Sequence, residues 1–232
     1  MMRDSEREVI RTLALFKEIA DVEFERLIEG AFLQRFPMHV VLINEGEHPD
    51  FLHVVVEGTV ELFARYEARE TTIEILQPVT TFILAAIVRD DVYLKSARTL
   101  APSRILMIPA ANVREIFGRD PVFARAVVDE LAIRYRRLVR TLKDQKLRTG
   151  VERLANWILE ADRQQGGSGR IALPYEKRTL SALLGMTPEN LSRTLASLSA
   201  HGISGNGREI VISDRGALVS CARPDPLIDG PE

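Results

Sequence analysis

The chain has 232 residues, of which 46% are hydrophobic and 28% charged, and this balance excludes disorder over most of its length. The formal net charge of −2 lacks the strongly basic character of many nucleic-acid-binding domains. A single cysteine, Cys221, excludes an internal disulfide and an iron–sulfur cluster held by several cysteines of one chain. No apolar run approaches about 18 residues and the first residues lack a signal-peptide core, so we expect a cytoplasmic protein with no membrane partner.

The first half of the chain predicts helices followed by a β-rich domain. Apolar residues at helical spacing over 8–29 predict two short helices that break near Ala20 and Asp21, after a loose segment at 1–8. From Phe32 to Pro109, short runs rich in Val, Ile, Leu, Phe and Thr alternate with turn residues. They predict strands at 40–43, 52–56, 59–63, 72–76 and 104–108. Many short strands at regular spacing are typical of an antiparallel barrel or jelly roll.

A long helix with an apolar stripe follows Pro121. The stripe steps by 3, 4, 3 and 4 residues and consists of Val128, Leu131, Tyr135, Leu138 and Leu142. Such a seam favours a coiled coil with a second copy of the chain, although the stripe can also pack onto its own domain. The same stretch is rich in cations that either contact DNA phosphates or form a solvated face, namely Arg134, Arg136, Arg137, Arg140, Lys143, Lys146 and Arg148.

The remaining residues predict a winged helix domain that begins near Arg148. A helix over 151–161 precedes a glycine-rich stretch at 164–169, which we expect to be the most flexible interior segment. A short strand at 170–174, a helix-turn-helix at 175–200 and a wing at 205–212 complete the pattern. The C-terminal residues from Arg223 onward, with three prolines, are expected to form a loose tail.

The second helix of this motif carries polar residues on one face. Glu189, Ser192 and Arg193 stand at i, i+3 and i+4, after Thr187 as N-cap and Pro188 at the first helical position. In a major groove, Arg193 can donate to guanine, Glu189 can accept from cytosine N4, and Ser192 can adapt to either edge. The alternative is an exposed Glu189–Arg193 ion pair without a reading role. Candidate phosphate contacts are Arg178, Thr179 and Thr187.

Three stretches carry a resemblance to the CRP/FNR superfamily of bacterial transcription regulators, over about residues 15–218. They are Asn44-Glu45-Gly46 through Val60, the long helix, and Gly185 through Arg193. The resemblance implies an α+β chain with an N-terminal β-roll or jelly-roll sensor domain of the cyclic-nucleotide-binding type at 1–120, a dimerisation helix at 121–149, and a C-terminal winged helix-turn-helix domain at 150–232. It further implies a homodimer on double-stranded DNA, with palindromic TTGAT-type half-sites, and RNA polymerase as a partner.

The resemblance says less directly which effector controls the protein. Members of the superfamily that bind cyclic AMP carry Gly-Glu and then Arg-Ser in the phosphate cassette, whereas this chain has Leu84-Ala85 and then Lys95-Ser96, so we do not expect cyclic AMP to bind. The glutamate, serine and arginine of the recognition helix and the stretch Phe82–Ala86 are most similar to the DNR/NnrR group, which responds to nitric oxide and controls denitrification.

Some members of that group are thought to use haem, so the resemblance implies an apolar effector pocket in the β-roll. Its candidate residues are Phe82, Leu84, Ala85, Leu94, Lys95 and Ser96. Candidate axial ligands are His39, His48, His53 and His201, or these histidines are ordinary surface and core residues and no metal binds.

Two other classes of function remain for comparison. A small-molecule or cyclic-nucleotide-responsive signalling module could use the winged helix to contact a protein rather than DNA. An enzyme is not expected, because the sequence has no glycine-rich phosphate loop, nucleophile elbow or His-Glu metal motif.

Overall fold

The structure is a computed structural model that describes residues 4–206 and 208–230. The chain divides into two compact units, Met1–Arg134 and Tyr135–Glu232. The division falls inside the long helix, whereas we predicted that helix as a segment of its own at 121–149.

Three short helices open the first unit: α1 (Asp4–Arg11), α2 (Ala14–Lys17) and α3 (Asp21–Leu27). The predicted break is confirmed, because Ala20 is the N-cap of α3. The expected loose segment at 1–8 is wrong from Asp4 onward, since the Arg7 guanidinium in α1 donates to the Glu25 carboxylate in α3 at 2.8 Å. Residues 1–3 lie outside the described residues.

Eight strands form two four-stranded antiparallel sheets, which confirms the predicted sheet architecture. The strands are β1 (Phe32–Phe36), β2 (Val41–Ile43), β3 (Phe51–Glu57), β4 (Val60–Tyr66), β5 (Arg69–Leu76), β6 (Thr80–Phe82), β7 (Ser96–Thr99) and β8 (Ser103–Pro109). Their orders are β1-β8-β3-β6 and β2-β7-β4-β5. All five predicted strands are present. The sequence missed β1, β6 and β7, which are short or rich in polar residues.

The central strand β3 separates two apolar cores because successive side chains point to opposite faces of a sheet. Leu52 and Val54 join the core formed with the helices, whereas Val55 joins the core between the two sheets. Three further helices follow the strands: α4 (Leu84–Arg89), α5 (Ala110–Arg119) and α6 (Pro121–Leu147). The long helix predicted after Pro121 is α6, and its Phe123 and Val127 are fully buried.

The second unit has the order expected of a winged helix domain. Its elements are α7 (Gly150–Gln164), β9 (Arg170–Ala172), α8 (Lys177–Leu183), α9 (Pro188–Ser197), a 3₁₀ turn (Leu198–His201), β10 (Ile203–Asn206), β11 (Glu209–Ile212), α10 (Arg215–Ala222) and α11 (Pro226–Asp229). The strands form an antiparallel sheet of order β10-β11-β9. Leu154, Ile158, Leu191 and Leu218 belong to the single buried core on which these elements pack.

The glycine-rich stretch between α7 and β9 is held in place, so the expectation of a flexible segment is wrong. The Asp162 carboxylate is fully buried, pairs with Arg215 and accepts from the Gly169 N–H at 2.7 Å. The Gln165 side-chain amide both donates to and accepts from the Ala172 backbone at 2.9 Å. The glycines permit positive φ, and these hydrogen bonds fix the path of the stretch.

The C-terminal segment is also ordered, against the prediction of a loose tail. It forms α11, and the Asp229 carboxylate pairs with Arg148. Residues 231 and 232 lie outside the described part. Among the helices of the described residues, none is long and apolar enough to cross a bilayer.

Candidate nucleic-acid interface

Helices α8 and α9 are joined by a tight turn at Gly185, which has a φ of +65°. The Gly185 N–H donates to Ala182 O at 3.0 Å, and the Met186 N–H donates to Ser181 O at 2.8 Å, so the turn closes the end of α8. Leu180 and Leu191 bury one side of each helix in the core. The predicted helix-turn-helix is therefore present.

The beginning of α9 is fixed by local chemistry as predicted. Thr187 is the N-cap, and its Oγ1 accepts from the Asn190 N–H at 3.2 Å. Pro188 occupies the first helical position, where a missing N–H costs nothing. The pKa of Glu189 is lowered by a hydrogen bond from its own backbone N–H and by the Thr187 hydroxyl, so its carboxylate is charged at neutral pH.

The outer face of α9 presents all three predicted base-reading residues to solvent. Glu189, Ser192 and Arg193 are exposed. The described residues contain no ion pair between Glu189 and Arg193; Arg193 Nη2 instead donates to Asn190 Oδ1 at 2.5 Å. The Ser192 hydroxyl donates to Pro188 O at 3.0 Å, which leaves its oxygen as an acceptor. The face therefore offers a carboxylate bonded only at the helix start, a guanidinium held at one nitrogen, and a hydroxyl.

The candidate phosphate contacts differ in how accessible they are. Arg178 is exposed on α8, whereas Thr179 is half-buried. The Thr187 side chain already caps α9 and interacts with Glu189, so its hydroxyl is partly committed to the helix start.

Three exposed residues were not singled out from the sequence. Lys177 opens α8, and Arg208 lies in the turn of the β10–β11 hairpin; neither makes an ion pair within the described residues. Asn190 lies beside the reading face and is bonded to Arg193. Its position three residues before Arg193 is the one signal that could have pointed to it. Gly207, in the predicted wing, lies outside the described residues.

Several cations of α6 and of the junction after it bind groups of the protein itself, which neither alternative from the sequence assumed. Arg134 Nη2 donates to Thr81 O at 2.5 Å, and its guanidinium pairs with Glu130. Arg140, Lys143 and Arg148 bind backbone oxygens or carboxylates of the C-terminal segment. These four side chains form neither a purely solvated face nor a set of cations available for phosphates.

Four of the five seam residues of α6 lie on the surface. Val128, Tyr135, Leu138 and Leu142 are 54–68% exposed, whereas Leu131 is half-buried against the core of the first unit. Within the described residues, Leu131 is therefore the member of the stripe that packs against a core, and the other four leave more than half of their surface to solvent.

The six residues predicted to line an effector pocket do not converge. Phe82 is buried in the core between the sheets, and Leu84 is buried in the other core. Leu94 is 82% exposed, and Ala85 is also exposed. In this conformation Leu94 cannot line an enclosed apolar pocket, because sequence proximity to Phe82 does not set which way a side chain points.

The two polar candidates for the effector pocket, Lys95 and Ser96, already contact other groups of the protein. Ser96 Oγ accepts from the Glu45 N–H at 2.9 Å, and Lys95 Nζ lies 3.9 Å from Glu74 Oε2. Burial lowers the pKa of Lys95, with a further lowering from Arg134, while Glu74 opposes it. A cation already balanced by a carboxylate is a poor phosphate ligand.

Of the candidate haem ligands, only His53 is buried. It is 3% exposed, stacks on Phe82 with ring centroids 5.1 Å apart, and its Nδ1 has no hydrogen-bond partner among the residues that the structure describes. Burial lowers its pKa to about 4, which a backbone interaction at Phe51 only partly offsets. His39 and His48 are exposed, and His201 is half-exposed in the other unit.

These residues as folded do not fit a haem. Phe82 fills the space beside the His53 ring and is its cross-strand partner, so an iron at His53 would require Phe82 to leave the core. Within the described residues, no group of three or more His, Cys, Asp or Glu side chains is arranged to hold a metal ion.

The chain matches two known domain families. Residues 33–120 match the cyclic nucleotide-binding domain, and residues 152–221 match the Crp-like helix-turn-helix domain. No curated protein matches the chain.

Solved structures share the fold over most of the chain. A protein from Silicibacter pomeroyi DSS-3 described as a cAMP-binding regulatory protein is 25% identical, with 96% of this chain and 100% of that one covered and a TM-score of 0.62. FixK2 from Bradyrhizobium japonicum is 23% identical, with 82% and 96% covered and a TM-score of 0.71. DNR from Pseudomonas aeruginosa is 21% identical, with 95% and 99% covered and a TM-score of 0.53.

The domain order, the capped and exposed face of α9, and the match to a Crp-like helix-turn-helix agree with one another. The chain carries a cyclic nucleotide-binding domain followed by a Crp-like helix-turn-helix domain, a combination that supports a CRP/FNR-type transcription regulator.

Proposed function

We propose that the protein is a homodimeric regulator that reads palindromic TTGAT-like half-sites through Glu189, Ser192 and Arg193. The observation that carries this proposal is the outward face of α9, where three hydrogen-bonding side chains stand free of the core. Arg193 would donate to guanine O6 and N7, and Glu189 would accept from cytosine N4.

The exposed stripe of α6 supports the homodimer. Tyr135, Leu138 and Leu142 form an apolar row at coiled-coil spacing, and such a row is stabilised when a second copy removes it from water. A two-fold dimer places two identical recognition helices about 34–36 Å apart, one turn of duplex DNA, which matches a palindrome.

The base-reading role is tested by gel shift and footprinting on a TTGAT palindrome. The double variant E189A/R193A should lose at least about 30-fold in affinity for the palindrome relative to scrambled DNA, because two base contacts are removed. R163A, which removes an exposed arginine of α7, is the matched control and should bind as the wild type does. Wild-type affinity in the double variant would refute the assignment. If the wild-type protein bound neither DNA, the result would favour the alternative function, in which the winged helix domain contacts a protein.

Sedimentation of L138E tests the dimer. The buried charge should convert the dimer to a monomer, whereas V22E, at an exposed valine of α3, should leave the assembly unchanged. A dimer that survives L138E would place the interface elsewhere.

We propose nitric oxide or a related nitrogen oxide as the signal, acting on the β-roll to control denitrification genes; RNA polymerase is the partner that the family resemblance implies. The pattern from Phe82 to Ala86 supports this branch, while the Lys95–Glu74 contact supports the expectation that cyclic AMP does not bind. Haem stays a prediction of the resemblance, since the described residues would need to rearrange to accept it.

Two measurements separate the signals. Absorbance spectra after haem reconstitution, before and after nitric oxide, should change if haem is the sensing group, and a featureless spectrum would end that idea. Calorimetry with cyclic AMP and cyclic GMP should give no heat, and measurable binding would overturn the interpretation of the cassette.

A further inference from the structure

The C-terminal segment, residues 223–230, lies across the end of α6 and the start of α7. Lys143 Nζ donates to Leu227 O at 3.2 Å, and Arg140 Nη1 donates to Gly230 O at 2.8 Å. Two cations about one helical turn apart on α6 thus bind two backbone oxygens of this segment that are three residues apart. The segment follows one face of the helix rather than leaving it.

The strongest contact of the segment is made at the junction between the two helices. Only Arg148 and Thr149 lie between the last residue of α6 and the first of α7. Arg148 donates from Nη1 to Asp229 Oδ1 at 2.7 Å and from Nη2 to Asp229 Oδ2 at 2.5 Å, a bidentate pair. The Arg148 side chain is only 7% exposed and also pairs with Asp144. A two-residue junction is where a hinge between helices can bend, and here its side chain is enclosed.

Asp229 is itself held in position. Its Oδ2 accepts from the Asp225 N–H at 2.7 Å, and Asp225 caps α11 by accepting from the Leu227 N–H. The carboxylate is therefore fixed by the short helix that carries it, so the ion pair with Arg148 is geometrically defined. Defined bidentate pairs contribute more than freely moving surface pairs.

The junction is connected to the helix-turn-helix by a second arginine. Arg153 donates from Nη1 to Arg148 O at 2.7 Å and from Nε to Leu184 O at 2.9 Å. Leu184 is the residue just before the Gly185 turn. One guanidinium thus joins the backbone of the hinge to the turn that precedes the recognition helix.

The end of α6 reaches the same turn directly. Gln145 Nε2 lies 3.5 Å from Leu183 O, and a Cβ added at Gly185 would lie 2.4 Å from Gln145 Oε1. The turn of the helix-turn-helix is therefore packed on α6 within the second unit. A change in the angle at Arg148 would break these contacts.

We infer that the segment 223–230 is a latch that fixes the angle between α6 and the helix-turn-helix, with Asp229 and Arg148 as its positioning residues. The inference rests on the proposed homodimer, since the angle at this hinge would set the separation of the two recognition helices. The latch makes no contact with bases. It controls how strictly the dimer measures the distance between half-sites.

The experiment measures binding of the full-length protein to palindromes whose half-sites are moved apart or together one base pair at a time. The wild type should prefer one spacing. D229N and a chain ending after Ala222 should lose at least about fivefold of that preference, the lower end of typical coupling between sites. Affinity for a single half-site should stay unchanged, because Glu189, Ser192 and Arg193 are untouched. D229E should restore part of the preference.

E209Q is the matched control, since it also removes one carboxylate of the second unit, that of Glu209 on β11, from an exposed pair with Arg170. It should keep the wild-type spacing preference. Trypsin gives a readout that does not depend on DNA, because Arg148 is a cleavage site that the latch covers. D229N should be cut there at least about fivefold faster than E209Q.

The outcomes distinguish the two proposals. A D229N protein that keeps the wild-type spacing preference, or its resistance to trypsin at Arg148, overturns the latch and leaves the homodimeric regulator standing. A wild type that binds single half-sites but shows no spacing preference overturns the palindromic homodimer and the latch together.

Discussion

The recognition helix and the cassette of the β-roll differ in how their side chains are used. In α9, the functional candidates Glu189 and Arg193 face solvent and make local hydrogen bonds only within the helix and its cap. In the cassette, Phe82 and Leu84 are buried in two different cores, and Lys95 is paired with Glu74. The candidate reading face of α9 is exposed as folded, whereas the candidate effector residues are divided between two cores and the surface.

This difference between α9 and the cassette indicates which part of the molecule a signal would have to change. A ligand can act on the β-roll in two ways. Its binding can offset the loss of the buried contacts seen here, or it can bind a different conformation that is already populated. The reading face needs no such change in its own side chains. Control of this protein is therefore expected through the placement of α9 and not through its chemistry.

The largest effect on stability is expected at Gly58, in the turn between β3 and β4. Its φ is +90°, and an added Cβ would lie 2.6 Å from Pro102 O and 2.2 Å from Ser103 Oγ. G58A should destabilise the first unit by about 2–5 kcal/mol, since backbone strain and overpacking both act. Urea unfolding followed by circular dichroism measures this loss. G46A is the control, because its Cβ would meet no atom within 4 Å although its φ is also positive; equal losses in both variants would show that the clash at Pro102 is unimportant.

The next largest effect is the loss of stability at low pH that the buried His53 in the first unit should cause. His53 has a folded pKa of about 4 against an ordinary 6.5, so the folded state favours the neutral ring. Below pH 6.5 the unfolded chain binds a proton that the folded chain excludes, and stability falls as the pH drops toward 4. The loss amounts to about 3 kcal/mol at most, from 1.36 kcal/mol per pKa unit.

Unfolding of H53L at pH 7 and pH 4.5 measures this contribution. The variant should lose less stability between the two pH values than the wild type does. H48L, at an exposed histidine, should keep the wild-type difference. An H53L protein with the wild-type acid sensitivity would assign that sensitivity to other groups, such as paired carboxylates.

The sequence predicted the start of α9 well and the surroundings of the cassette residues poorly, for one physical reason. The start of α9 depends on Thr187, Pro188 and Glu189, which are neighbours in the chain, so their spacing alone defines the cap and the reading face. The cassette depends on which sheet face each residue takes and on partners far away, such as Glu74 for Lys95 and Glu45 for Ser96. The latch was missed likewise, because Arg148 and Asp229 are 81 residues apart.

A smaller effect is expected at Gly185, which provides the contrast to Gly58. Its φ of +65° also disfavours a side chain, but the atom in the way is the flexible end of Gln145. G185A should therefore destabilise the second unit by about 1–2 kcal/mol, mainly from backbone strain. The double variant G185A/Q145A should be less stable than Q145A by this same backbone strain, and so should unfold at a lower urea concentration. If removing the Gln145 side chain restored most of the stability that G185A loses, the clash with Gln145 and not the positive φ would cause the destabilisation.

The smallest effect is expected at Thr187, where stability and reading can be separated. T187A removes the oxygen that accepts from the Asn190 N–H and should destabilise the second unit by about 1 kcal/mol. T187S keeps that oxygen and should restore nearly all of the loss. Because the Thr187 hydroxyl also hydrogen-bonds to the Glu189 carboxylate and so helps to orient it, T187A should weaken binding to the palindrome more than binding to scrambled DNA. An equal loss on both DNAs would instead identify Thr187 as a phosphate contact, since phosphates are contacted without regard to sequence.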